Sequence, residues 1–149
     1  ERKALVSVIQ EEAGKKPLLG ICLGMQLLFE YSLEYGKTAG LSLISGGVVP
    51  IDAKGLKIPH MGWNSLDIRR PRGLFARIPA EPYVYFVHSY YLRAEEDVVT
   101  ATAEYGVTID AAVQKSNLLA CQFHPEKSGA VGIELLRNFA AMAGEGGRG

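Results

Sequence analysis

Leu18-Leu19-Gly20-Ile21-Cys22-Leu23-Gly24-Met25-Gln26 decides the fold: a short apolar run, a glycine-flanked turn that holds a cysteine, then helical spacing. Leu18–Ile21 reads as a buried strand, because it has no polar face and Pro17 precedes it. From Leu23 to about Tyr31 the spacing predicts a helix, with Leu23, Leu27 and Leu28 on one side. Strand, tight turn and helix in that order lift a nucleophile out at the end of a sheet. Gly20 and Gly24 omit side chains where strand and helix pack closely. The helix N-terminus places a partial positive charge beside the Cys22 sulfur, which predicts a lowered thiol pKa. The Leu23 amide then points toward the place where a carbonyl oxygen becomes an oxyanion.

A thiol attacks only as thiolate, so Cys22 needs a base, and the far end of the chain supplies one. Gln122-Phe123-His124-Pro125-Glu126 ends the apolar run Leu118–Phe123 with an imidazole, and a carboxylate follows two residues later. Strand ends are where the catalytic groups of α/β folds collect. Pro125 stiffens the link so that Glu126 can turn back onto the ring and hold its tautomer. Each residue alone has a bland reading: a buried small hydrophobe, a backbone-bonded histidine, a solvated charge. Together they make a nucleophile, a base and an orienting acid. Cys121 lacks a glycine turn and a following helix, and reads as core. Gly36-Lys37-Thr38 resembles the end of a phosphate loop, but Tyr31 stands where the leading glycine belongs. His60, His88 and His124 are too widely spread for a local metal motif, so no metal and no cofactor is expected.

Working outward, residues 3–13 read as a helix with Leu5, Val6, Ile9 and Ala13 on one face and Gly14 as its stop. Between Leu43 and Gln122 β-rich runs recur: Gly47–Ile51, Leu56–Ile58, Asn64–Ile68, Tyr83–Tyr91, Val98–Glu104, Ala111–Gln114 and Leu118–Phe123. Gly129–Met142 reads as a closing helix with Ile133, Leu136, Phe139 and Ala140 inward. The expected domain is 1–143, with 144–149 a flexible glycine-rich tail. The chain opens with Glu1, has no N-cap before Ala4 and places its first methionine at Met25. A strand as apolar as Leu18–Ile21 wants parallel neighbours on both sides. Both features predict a chain that lacks upstream βα units.

At 149 residues the length fits one domain with a real core. Sixteen basic residues balance sixteen acidic ones, which argues against nucleic acid or an anionic membrane as the main partner. No run has the roughly 18–20 apolar residues that span a bilayer, and there is no signal-peptide pattern. Two cysteines without a CxxC pattern fit a reducing, cytoplasmic setting.

Gly-Ile-Cys-Leu-Gly-Met-Gln with Phe-His-Pro-Glu-Lys-Ser resembles the class I glutamine amidotransferases, whose triad is Cys-His-Glu. Pro59-His60-Met61-Gly62-Trp63-Asn64 and Phe86-Val87-His88-Ser89-Tyr90-Tyr91 narrow the resemblance to the glutaminase subunits of imidazole glycerol phosphate synthases. The four motifs occur in family order, and the resemblance covers nearly the whole chain except the glycine-rich tail. The resemblance implies an α/β, flavodoxin-like domain with a mixed sheet flanked by helices, here without its first βα units. It also implies a heterodimer with a (β/α)8-barrel cyclase that uses ammonia from glutamine in histidine biosynthesis. Carried over by position, Cys22 attacks the amide, His124 moves protons and Glu126 orients His124. Leu23 contributes to the oxyanion hole. Gly24, Gln26 and the main chain of His88, Ser89 and Tyr90 hold glutamine, while Pro59, His60, Met61, Gly62, Trp63 and Asn64 face the cyclase. The family's second oxyanion element is a glycine-rich loop upstream of the nucleophile, so this chain is expected to be impaired relative to a longer one. Two other readings remain at this stage. One is a different class I glutaminase or a γ-glutamyl hydrolase; the other is a non-catalytic cyclase-binding subunit.

Overall fold

The computed structural model describes residues 2–146, with side chains for 4–144. Helix α1 (Arg2–Ala13) leads into strand β1 (Leu18–Ile21), and helix α2 (Leu23–Leu27) follows directly after Cys22. Two two-residue strands, β2 (Tyr31–Ser32) and β3 (Thr38–Ala39), precede β4 (Gly46–Pro50). Then come β5 (His60–Ser65), β6 (Asp67–Ile68), β7 (Tyr83–His88), β8 (Tyr90–Ala94), β9 (Val99–Tyr105), β10 (Val107–Lys115) and β11 (Leu118–Cys121). Helix α3 (Gly129–Gly146) closes the described chain. The main sheet is mixed and runs β1-β11-β10-β8-β4-β2-β3, with β9 on β10 and β6 on β9, while β5 and β7 form an antiparallel pair. No helix among the described residues is long and apolar enough to cross a membrane.

The centre of the sheet is dry on both faces. Every residue of β11 is buried, and its side chains alternate between two cores. Leu119 and Cys121 join Phe75, Phe86, Phe123 and Leu135 on the α3 side. Leu118 and Ala120 join Met25, Leu28, Phe29, Ile44 and Leu92 on the other. That explains an apolar run without alternation. β1 lies parallel to β11, with Ile21 opposite Cys121, and this register brings the ends of both strands to one edge.

Several expectations are corrected. Helix α2 stops at Leu27, and its buried residues are Met25 and then Leu28 and Phe29, whereas Leu23 and Leu27 are exposed. The chain must turn at once to place Phe29 in the core and Tyr31 beside β4. Among the described residues of α1 only Ala13 is buried, while Leu5, Val6 and Val8 are exposed, because those residues meet the core cluster at that last turn. Leu56–Ile58 is not a strand; it runs into the cis Ile58–Pro59 peptide before β5. The Asn64–Ile68 and Tyr83–Tyr91 runs are each two strands, broken at buried Leu66 and at Ser89. Helix α3 turns Leu135 and Asn138 inward and leaves Ile133 exposed. Two bonds set this rotation: Asn138 Nδ2 donates to the carbonyls of Leu74 and Ala76, both at 2.8 Å. Helix α3 also continues through Gly146 instead of ending at Met142, since a glycine costs a formed helix only about 1 kcal/mol. Residues 147–149 of the expected tail lie outside the described residues.

Candidate active site

Cys22 sits between β1 and α2 with φ 52° and ψ −107°, a strained conformation for a residue with a side chain. Its amide donates to the carbonyl of Cys121 at 2.8 Å, so the parallel ladder continues one residue past β1 before the chain turns. Gly20 makes the turn possible: a Cβ there would lie 2.9 Å from the backbone of Gly24 and Met25. Gly24 is different from the sequence expectation. A Cβ at Gly24 would meet nothing within 4 Å, so close packing does not explain it.

His124 leaves the end of the neighbouring strand, three residues past Cys121. Its amide donates to Tyr85 of β7 at 2.9 Å, and its carbonyl accepts from the buried Ser128 hydroxyl at 2.6 Å. Ser128 Oγ also accepts from the Tyr85 amide at 3.0 Å. Gly132 lies against the Pro125 carbonyl with no room for a side chain, which seats α3 directly beneath this turn. Glu126 turns back as expected, with Oε1 2.6 Å from His124 Nδ1. That contact assigns Nδ1–H to the carboxylate and leaves Nε2 as the ring nitrogen that can take a proton.

Burial pushes the Cys22 thiol above its ordinary pKa, against the expected lowering. A hydrogen bond from the Leu23 amide and one from Gln122 oppose the shift, while the charges of Glu126 and Glu34 add to it. Desolvation wins because a five-residue helix has only a weak dipole and the charges acting on the sulfur, Glu126 and Glu34, are negative. Cys22 is therefore a thiol at rest. Cys121, fully buried with Sγ 3.5 Å from the Phe123 carbonyl, is pushed far higher and is a core residue, as its sequence context predicts.

Among the residues expected to hold substrate, Gln26 reaches the site with Nε2 3.3 Å from the Tyr90 carbonyl and 3.2 Å from Gln122 Oε1. Ser89 breaks the run between β7 and β8, and the Val87 carbonyl lies 3.9 Å from Cys22 Sγ. Strand β5 divides the stretch expected at a partner. Met61 and Trp63 are 59% and 57% exposed, while His60 is buried on the other face. Pro59, Gly62 and Asn64 are half-buried. Sequence reasoning missed two residues. Gln122, fully buried, places Nε2 3.6 Å from Cys22 Sγ; the signal was a polar residue interrupting an apolar strand. Glu34 lines a cavity of about 70 Å³ with Leu23, Gln26 and Tyr31; no local motif marks it.

The family model "Glutamine amidotransferase class-I" matches residues 1–143. "Imidazole glycerol phosphate synthase subunit HisH" of Oceanobacillus iheyensis is 54% identical over 140 residues, covering 93% of this chain and 69% of that protein. The protein of the same name from Moorella thermoacetica is 50% identical over 149 residues, covering 99% and 70%. The one from Caldanaerobacter subterraneus is 55% identical over 128 residues, covering 85% and 63%, so the chain spans about two thirds of these relatives' length. Among solved structures, a glutamine amidotransferase from Thermotoga maritima aligns with TM-score 0.64 at 18% identity, covering 98% of this chain and 61% of that one. The glutaminase domain of the Trypanosoma brucei CTPS aligns with TM-score 0.59 at 18% identity, covering 91% and 64%. These share the fold, and with the matched family model and relatives that are half identical, the chain belongs to the class I glutamine amidotransferase family.

Proposed function

We propose that this chain is the glutaminase subunit of an imidazole glycerol phosphate synthase, hydrolysing glutamine and passing ammonia to a cyclase partner in histidine biosynthesis. The observation that supports it best is Cys22 in a strained turn just after β1, with the bonded His124–Glu126 pair just past the end of its parallel neighbour β11. The half-identical relatives that carry the synthase name agree with it.

His124 Nε2 takes the Cys22 proton as the sulfur attacks the amide carbon, because the raised thiol pKa leaves little free thiolate beforehand. The carbonyl oxygen becomes an oxyanion within reach of the Leu23 amide. As the C–N bond breaks, His124 returns the proton to the departing ammonia and a thioester remains. His124 then takes a proton from water, hydroxide attacks the thioester, and glutamate leaves as the thiol is restored. Glu126 holds the ring and steadies its positive charge. An amino-acid substrate needs partners for both its ammonium and its carboxylate. Glu34 offers the first, while Gln26, Gly24 and the main chain of residues 88–90 frame the rest. Exposed Met61 and Trp63, the latter edge-on to Tyr85 at 6.1 Å, form an aromatic-rich face for a barrel cyclase and hence a heterodimer.

An electrophilic glutamine analogue should label Cys22 alone, glutamine should block it, and Cys22→Ala should abolish both labelling and hydrolysis. Growth of a histidine-requiring mutant distinguishes this synthase from other class I glutaminases; no rescue by the intact gene would overturn the assignment.

A further inference from the structure

Behind the site runs a chain of hydrogen bonds in which each proton has only one place to be. Tyr90 carbonyl can only accept, so His88 Nδ1, 2.9 Å away, carries a proton. His88 Nε2 is then a lone pair, and His60 Nδ1, 2.9 Å from it, must donate. His60 Nε2 in turn must accept, and Asn64 Nδ2 lies 3.3 Å away. The Asn64 amide is oriented by the Glu104 carbonyl, which accepts from the same nitrogen at 3.0 Å. On the other side, Gln26 Nε2 donates to the same Tyr90 carbonyl and to Gln122 Oε1, and Gln122 Nε2 donates to Cys22 Sγ. Backbone carbonyls at both ends leave no alternative polarity.

From this continuity we propose that His60 and His88 are positioning residues: neutral, both Nδ1–H, they tie Asn64 on strand β5 to the Tyr90 carbonyl and through Gln26 and Gln122 to the Cys22 sulfur. The pair is built for neutrality. Both rings are buried, and His60 is stacked between Phe86 at 4.7 Å and Tyr105 at 4.0 Å. Burial lowers the pKa of each to about 4. The route starts on the strand whose other face exposes Met61 and Trp63, and it ends at the nucleophile. Its role in holding glutamine rests on the glutaminase reading; its geometry at Cys22 does not.

The test pairs two substitutions with a spectrum. Asn at position 60 keeps a donor where Nδ1 stands, whereas Phe keeps only the stacking. Ring ¹⁵N spectra of the native chain should show Nδ1–H on both histidines at neutral pH, although a free imidazole prefers Nε2–H. His60→Phe should raise KM for glutamine about tenfold, the weight of one buried acceptor left unpaired, and change kcat less. The same variant should slow iodoacetamide alkylation of Cys22 about threefold, as Gln122 loosens its hold on the thiolate. His60→Asn should restore both values, with the two variants melting alike. An Nε2–H or charged ring in the native chain overturns the proposal, as does equal behaviour of His60→Phe and His60→Asn. If native chain and Cys22→Ala are equally unable to hydrolyse glutamine, the glutaminase reading fails. The ring spectra and the iodoacetamide rates still judge the relay.

Discussion

The rim of the sheet and the interior just behind it hold the same residue types in opposite states. At the rim, Cys22 and His124 leave adjacent parallel strands, with a carboxylate 2.6 Å from the imidazole. One register position inward, Cys121 is wholly buried, and behind the site His60 and His88 bond to each other. The backbones of the two cysteines even touch through one hydrogen bond of 2.8 Å. Residue type therefore says little about reactivity here. Whether the strand continues or turns at that residue decides it, because the turn takes the Cys22 sulfur out of the core, whereas Cys121 stays inside it.

The most severe test of this contrast is a pair of truncations. Cys22→Ala should reduce glutamine hydrolysis by about 10⁴-fold or more, whereas Cys121→Ala should keep hydrolysis and cost about 1 kcal/mol by emptying a core site. Equal loss in the two variants, measured by ammonia release and denaturant melts, would erase the distinction between rim and interior.

Acid separates the histidines next. His60 and His88 stay neutral in the fold down to about 4 but protonate near 6.5 once unfolded. Unfolding between those values takes up two protons, so stability is complete above 6.5 and is lost as pH falls toward 4. The slope should approach about 2.7 kcal/mol per pH unit, and removing one ring with His60→Asn should roughly halve it. Urea melts across that range check both values; a flat profile would mean that the pair is not held neutral by the fold.

Gly20 and Gly24 sharpen the account of the turn. Gly20→Ala drives a methyl against the α2 backbone and should cost about 1–3 kcal/mol, while Gly24→Ala, facing open space, should cost no stability. Thermal melts of the two variants separate the requirements.

The smallest effect is electrostatic. The Glu126 charge helps hold the Cys22 thiol up, so Glu126→Gln should move the pH midpoint of iodoacetamide labelling downward. Glu126 is half exposed and its field is screened, so the move should stay below about one unit. An upward move would mean that the carboxylate acts on the sulfur only through the His124 ring.

Much of this was legible in the chain. β1 was read at its observed bounds, because a continuous apolar run bounded by turn residues is a local signal. The turn at Cys22 and the return of Glu126 onto His124 were legible for the same reason, since glycine and proline constrain the backbone nearby. Helix faces were less so. Leu23 and Leu27 look like core residues by spacing but face solvent, because a five-residue helix follows its neighbours rather than its own periodicity. The α3 face was legible only in part: Phe139 packs on the core but Ile133 faces solvent, because Asn138, a polar residue bonded to two carbonyls far away in sequence, fixes the rotation.

By itself the sequence determined the α/β class, the cysteine of the turn and the pairing of His124 with Glu126, since each depends on residues a few positions apart. Only the tertiary structure decided the net direction of the Cys22 pKa, the place of Gln122 and Glu34, and the bonded pair His60 and His88. Those depend on burial and on contacts that no short motif spans: the two histidines are 28 positions apart, and Gln122 and Cys22 are 100 apart. Desolvation and the direction of a proton in a hydrogen bond are properties of the enclosed space, and no local pattern encodes it.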